Sequence, residues 1–253
     1  MKISIITVCY NSASTIKDTL QSVATQTYPL VEHVVVDGAS KDQTMAIVRQ
    51  FPHVAVTVSE PDRGIYDAMN KGIRLATGDV IGFINADDFY ADDEALASVM
   101  RVFEDPMVEA CYAELCYVKQ NDTNSIVRYW RSSEFQPGLF LRGWSPAHPT
   151  FFVRKSVYER FGGFDLSYKI AADTELMMRF LEVHKIRTRF VPRILVTMRM
   201  GGTTNRSVSN VIKQNLEVWR AFRKNRLSPS IFLFVVGKFF SRTAQFLVRP
   251  PPA

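Results

Sequence analysis

Cysteine is scarce. The three in 253 residues, Cys9, Cys111 and Cys116, have neither the even pattern of a disulfide framework nor the spacing of a zinc site. They fit a reducing compartment. No run of about eighteen uninterrupted apolar residues occurs, so no membrane span is expected. Nor does a basic, apolar, small-residue leader open the chain. Met1 to Ile6 runs directly into a strand pattern, which points to a cytoplasmic location. Acid is in slight deficit, with 31 Lys and Arg against 25 Asp and Glu. The basic residues are scattered rather than gathered beside aromatics, which argues against nucleic acid. The net charge of +6 still suits phosphorylated ligands or an anionic lipid surface.

Short apolar runs rich in β-branched residues recur at 3–9, 31–36, 54–58 and 80–84, with amphipathic helical stretches between them. Strands alternating with helices predict an α/β fold with a mostly parallel central sheet. Ser14 is positioned to cap a helix over 15–25, with Ile16, Leu20, Val23 and Ala24 on one side. A helix over 64–76 turns Ile65, Ala68, Met69 and Ile73 to the sheet, and Gly78 follows it as a left-handed terminator. Asp92 and Asp93 begin a helix that runs to Phe103. Strands at 111–118 and 125–130 flank a turn-rich loop at 120–124. Further helices are expected over 155–161 and from Asp173, then a β run over 189–198 and a helical tail over 208–226.

The chain is organised around Ser59 to Tyr90. Its strand at 80–84 has the continuous apolar character of a strand buried on both faces, and it runs out into Asp87-Asp88. That places two adjacent carboxylates at the carboxyl edge of a sheet, where open α/β folds bind ligands. The pair is costly unless a cation or hydrogen-bond donors compensate, and a divalent metal carrying a diphosphate is one such compensation. The plainer alternative is that the pair caps the next helix. Asp37 ends the second strand and offers an acceptor for a nucleobase N–H, or simply turns the chain.

Here the sequence resembles a family. Asn85-Ala86-Asp87-Asp88 looks like the DxD-type metal motif of the family-2 glycosyltransferases of GT-A fold. Glu60-x-Asp62-x-Gly64-Ile65-Tyr66-Asp67-Ala68-Met69-Asn70-Lys71-Gly72 resembles the block before it in a branch that builds bacterial exopolysaccharides of the colanic-acid type. The likeness covers roughly residues 1–205, and the motifs are specific in combination. It implies a GT-A domain over 1–205. Residues 1–104 form its nucleotide-sugar half and 105–205 its acceptor half, followed by a helical tail over 206–253.

The resemblance also implies roles. Asp37, Glu60, Asp62, Asn70, Lys71, Asn85 and Asp88 would bind the nucleotide-sugar donor, Asp87 would hold Mn²⁺ or Mg²⁺, and Asp173 would be the general base. Trp144, His148 and Thr203 are weaker candidates for the acceptor or a closing loop. Trp144 serves equally as a core plug, and Lys71 equally as solvated surface. The pattern departs in four places: glycine stands at 38 for a second acid, Met69 for an arginine, Asn85 for the first acid of the motif, and Ala172 for a glutamate.

The expected reaction is inverting transfer of one sugar, UDP-linked by preference, to a saccharide on a polyprenyl-diphosphate carrier. Such an enzyme belongs on the inner face of the bacterial cytoplasmic membrane. In the segment 230–249, Lys238, Arg242 and Arg249 share one helical side with phenylalanines beside it, which suits a helix lying in the membrane interface. Two rivals remain. A sugar-phosphate nucleotidyltransferase wants a Gly-rich basic loop after the first strand, and Tyr10 to Ser14 is neither. A non-catalytic scaffold would bind nucleotide or glycan without needing so many placed acids.

Overall fold

The computed structural model describes residues 1–201, 208–248 and 250. Thr203 and Arg249, both singled out above, lie outside them. Among the described residues nine strands make one sheet. β1 (Ile3–Cys9), β2 (Val31–Asp37), β3 (Val54–Ser59) and β4 (Val80–Phe83) are parallel in the order β3-β2-β1-β4. The sheet then turns mixed. β8 (Phe152–Arg154) pairs antiparallel with β4, and β6 (Ala110–Lys119) antiparallel with β8. β6 runs parallel to β9 (Thr188–Arg199), which carries the two-residue β5 (Phe89–Tyr90) on its far side. β7 (Asp122–Trp130) forms a hairpin with β6.

Strand alternation sends side chains to two faces. Ile6, Val8, Val34, Val36, Ile81 and Phe83 pack against α3 (Ile65–Leu75), α5 (Lys155–Phe161), α6 (Ala172–Met178) and α7 (Val208–Lys224). Ile3, Ile5 and Val35 face the other way, towards α1 (Ile16–Ala24) and α4 (Ala95–Val102). A short α2 (Thr44–Val48) and the last helix, α8 (Ile231–Leu247), complete the chain.

Several local expectations need correction. Ser14 does not cap α1; its N-cap position is Thr15, and the Ser12 carbonyl takes the first N–H groups. Ala24 is exposed, and buried Thr19 takes its place. Ile65 is also exposed, because Tyr66 occupies the inward position at the start of α3. Gly78 is not left-handed. A side chain there would meet the β1 backbone, 2.7 Å from the Ser4 nitrogen and 2.9 Å from the Lys2 oxygen, so close approach is its reason. The helix α4 begins at Ala95, after Asp92 accepts from the Glu94 N–H. The β6–β7 loop shrinks to Gln120 and Asn121, because Lys119 pairs with Asp122.

One buried carboxylate ties the amino edge of the sheet. Glu32 accepts from Lys2 Nζ at 2.8 Å, from the Thr77 N–H at 2.8 Å and from the Ser4 and Thr77 hydroxyls. Burial pushes its pKa up, but these donors outweigh it and hold the group at about 2. A depressed folded-state pKa stabilises above the unfolded value and loses that contribution as pH falls through the folded one. Glu32→Gln is therefore expected to cost about 2 kcal/mol near neutral pH. In urea titrations the difference from the parent should shrink between pH 4.5 and pH 2.

Candidate active site

The carboxyl ends of β1, β2, β3 and β4 meet in one loop cluster. The loop after β1 is knitted to the loop after β2: Asn11 N–H donates to Ser40 Oγ at 2.8 Å, Lys41 N–H to Asn11 Oδ1 at 2.9 Å, and Ala13 N–H to Asp42 Oδ2 at 3.1 Å. Asp42 also accepts from the Thr44 N–H at 2.9 Å, a turn-and-cap role. Asp37 is fully buried beneath this lattice. Its Oδ2 accepts from Ser40 N–H at 2.9 Å and Ser59 Oγ at 2.6 Å, and its Oδ1 from Ser40 Oγ. A base N–H reaching Asp37 would have to share oxygens that already hold the loop.

Gly38 explains its own departure from the family pattern. A Cβ at Gly38 would lie 2.5 Å from Asp62 Oδ2 and 3.4 Å from Tyr10 Cδ2. The missing side chain leaves room for Asp62, whose Oδ1 also accepts from the Gly64 N–H at 2.7 Å. Asp62 thus brings a carboxylate against the backbone of Gly38. Tyr10, exposed beside it, is an aromatic surface that sequence reasoning passed over as a turn residue. Glu60 pairs with Lys71 at 2.9 Å, and Lys71 also donates to the Pro61 carbonyl at 2.8 Å, so this lysine is committed to its own loop. Asn70 is likewise committed. Its amide donates to the Phe164 carbonyl and accepts from the Phe164 N–H, both at 2.8 Å. These bonds brace α3 against the turn at Phe164.

The acid pair lies just past β4. Asp88 is fully buried, Asp87 half-buried. Asn85 Nδ2 donates to Asp88 Oδ2 at 2.9 Å, which accounts for the amide at this position: an acid there would set a third like charge against a buried carboxylate. Asp88 Oδ1 is buried and, among the described residues, has no hydrogen-bond donor. Burial, then the Asp87 charge, pushes the Asp88 carboxyl well above the usual range, with Asn85 and Arg199 pulling the other way. Arg199, at the end of β9, is buried; it donates to the Asp87 carbonyl at 2.8 Å and pairs with Asp18. Nothing in the sequence flagged it, because its partners lie more than a hundred residues away.

An orphaned buried oxygen in an acid pair is what a cation satisfies, so the residues fit a divalent ion. They do not form a complete cage: among the described residues no three His, Cys, Asp or Glu converge as a metal group. Mg²⁺-type sites commonly use one or two carboxylates and take the rest from phosphate and water.

Asp173 stands at the second position of α6, not at its cap. Its Oδ1 accepts from the Thr174 N–H at 2.7 Å and lies 3.3 Å from the Tyr66 hydroxyl, which also donates to the Ile170 carbonyl at 2.8 Å. Burial and then Asp173 push the Tyr66 pKa well above its ordinary value, so it stays a donor. His148 packs between the rings of Phe83 and Phe164. Burial lowers its pKa, and Asp173 opposes this. The segment entering α6 is held from α7, where Glu217 accepts from the N–H groups of Lys169, Ile170 and Ala171, each at 2.9 Å. Trp144 fills a nest of Tyr112, Phe135 and Phe140, which is the plug reading.

Buried Tyr117 on β6 has its pKa raised by burial, and it feels the charges of both Asp88 and Asp173 as well as those of Arg128 and Arg242.

The family described as Glycosyl transferase family 2 matches residues 4–162. An uncharacterized glycosyltransferase of Mycobacterium tuberculosis is 32% identical over 180 residues, 70% of this chain and 68% of its own. A PGL/p-HBAD biosynthesis glycosyltransferase of Mycobacterium bovis is 30% identical over 219 residues, 84% of this chain and 83% of its own. Among solved structures, a mannosyltransferase of Pyrobaculum calidifontis in complex with GDP-Man and Mn²⁺ superposes with a TM-score of 0.67 at 22% identity, covering 95% of this chain and 69% of its own. TarS of S. aureus in complex with UDP-GlcNAc gives 0.67 at 20% identity, covering 89% and 65%. At such identities the superpositions speak for the GT-A fold.

Proposed function

This chain belongs to glycosyl transferase family 2, and on that premise we propose that it transfers one sugar from a UDP-linked donor to a saccharide acceptor with inversion. The observation that carries the reading is the division of labour between two acid groups. Among the described residues the Asp87-Asp88 pair holds a buried oxygen without a donor, while Asp173 has Oδ1 fixed by Thr174 and Tyr66. A carboxylate oriented through one oxygen can take a proton with the other.

Asp173 removes the acceptor hydroxyl proton as that oxygen attacks the anomeric carbon, and a single displacement inverts the centre. Tyr66 keeps the carboxylate turned towards the cleft. Asp87, backed by Asp88 and Asn85, would hold the divalent ion, whose charge would offset that developing on the departing diphosphate. Asp62 and Tyr10 offer the nucleoside a carboxylate and a ring face, and Asp37 keeps their loop in shape. His148, neutral and wedged between rings, fits a wall of the acceptor side.

The acceptor is a lipid-linked saccharide of bacterial surface polysaccharide, and the enzyme works at the inner face of the cytoplasmic membrane. Among the described residues no helix is long and apolar enough to cross a bilayer. α8 instead exposes Phe232, Leu233, Phe239, Phe240 and Leu247, an apolar face suited to lying in an interface. The sequence expectation that Lys238 and Arg242 face the lipid on that helix is corrected: both turn to α7, with Lys238 donating to Asn215 Oδ1 at 2.6 Å and Arg242 to Gln214 Oε1 at 3.4 Å.

A thermal-shift comparison of nucleotide sugars with and without Mn²⁺ tests the donor and the metal together. A UDP-sugar at a hundred times its Kd is expected to add about 2.7 kcal/mol, or roughly 5–10 °C, and only with the metal present. Equal shifts without metal would remove the ion from the site. A shift for guanosine or thymidine nucleotides alone would replace UDP.

A further inference from the structure

The turn of Lys238 and Arg242 towards α7 gives the tail a second feature. Between α7 and α8 runs a groove of about 660 Å³. Its walls are apolar, with Leu216, Trp219, Val235 and Phe239 among them, and Lys238 and Arg242 enter it. Arg128 of β7 continues the cationic strip. It donates to Gln245 Oε1 at 2.6 Å and lies over the rings of Tyr117, Trp130 and Phe246. The three cations have amide oxygens for partners, and among the described residues none is paired with a carboxylate. Burial, then Arg242, pushes Lys238 down to about 8.

Half-buried like charges without a counterion call for an anion, and an apolar trough beside them calls for a chain. The groove is a built feature of the fold. α8 is seated on the turn at 140–143 with no side chain between the backbones: a Cβ on Gly237 would fall 2.0 Å from the Arg142 carbonyl oxygen, and one on Gly143 would fall 2.7 Å from the Lys238 nitrogen. A second copy of this chain is a poor occupant. A two-fold contact across the groove would set the cations of each copy against those of the other, and α8 carries no acid to relieve them. The strip reaches β6 at Tyr117, whose ring centroid lies 4.6 Å from the Arg128 guanidinium.

We propose that the α7–α8 groove binds the lipid of the acceptor: one hydrocarbon chain lies along Leu216, Trp219, Val235 and Phe239, and its phosphate rests on Arg128, Lys238 and Arg242. The saccharide beyond the phosphate then leaves the strip on its Tyr117 side. This rests on the transferase reading above and adds the carrier's place to it.

The probe is decyl phosphate, used below its critical micelle concentration with the full chain, against decanol and inorganic phosphate as controls. Tryptophan fluorescence reports binding, and Trp219→Phe assigns the signal. Decyl phosphate is expected to bind at least about tenfold tighter than either control. Lys238→Gln/Arg242→Gln should remove that advantage while leaving decanol binding within about twofold. Val235→Ser should weaken decanol and decyl phosphate alike. Equal affinity for decyl phosphate and decanol, or an advantage that survives the charge variant, overturns the proposal. So does a charge variant that loses binding to anionic vesicles but not to the monomeric probe, which makes the strip a membrane contact. UDP-sugar binding by the same variants is read in parallel. Unchanged donor binding certifies the fold, whereas a parent protein that binds decyl phosphate but no nucleotide sugar defeats the transferase reading and leaves the groove standing.

Discussion

Asp173→Asn is expected to lower kcat by about 10³-fold and to leave donor KM nearly unchanged, because general-base catalysis contributes about 10²–10⁴. The amide keeps the size of the carboxyl and can still accept from the Thr174 N–H and Tyr66, so α6 should fold as before. What it loses is the oxygen able to take a proton. Donor binding and melting temperature, both expected to match the parent, separate this from a packing defect. A variant within threefold of the parent would strip Asp173 of its role. Tyr66→Phe offers an internal comparison, since it removes one positioning bond and leaves the base; a loss of about tenfold in kcat with donor KM unchanged is the expected result.

The second large effect falls on the acid pair. Asp87→Ala should abolish metal-dependent stabilisation by UDP-sugar and cut transfer by about 10²–10³-fold, the scale lost when one charge-stabilising contact is removed from a transition state. Asn85→Ala leaves both carboxylates in place. It deletes the 2.9 Å donor to buried Asp88, and loss of such an outer partner typically weakens a metal by about 10–100-fold. Mn²⁺ titrations followed by thermal shift should therefore rank the parent tightest, Asn85→Ala intermediate and Asp87→Ala without response. Asp87→Ala that keeps a full Mn²⁺ response would move the ion elsewhere.

Much of this was legible before any coordinates. β1 and α5 begin and end where periodicity put them, since an apolar run or an amphipathic stretch is a local signal. Asp87, Asp88 and Asp173 became candidates because they stand where a strand runs out or an apolar helix begins. What stayed hidden depends on distant partners. Arg199 meets Asp18 and Asp87, Asn70 meets Phe164, and Glu217 meets residues 169–171. No window of sequence contains both members of any such pair. Gly38 shows the limit from the other side. Its absent side chain looked like a defect in a motif until Asp62 was found in the space. Lys238 and Arg242 were assigned to the right helix, and only the packing of α7 shows which way they turn.

The seat of the last helix has a mechanical consequence. Where the Gly237 backbone rests on the Arg142 carbonyl, there is no flexible side chain to act as a cushion. Tilting or sliding the tail must drag the turn at 140–143, and that turn leads within five residues to His148 against the ring of Phe83. Tail and turn therefore move as a pair: a displacement of the last helix carries residues 140–143 along with it.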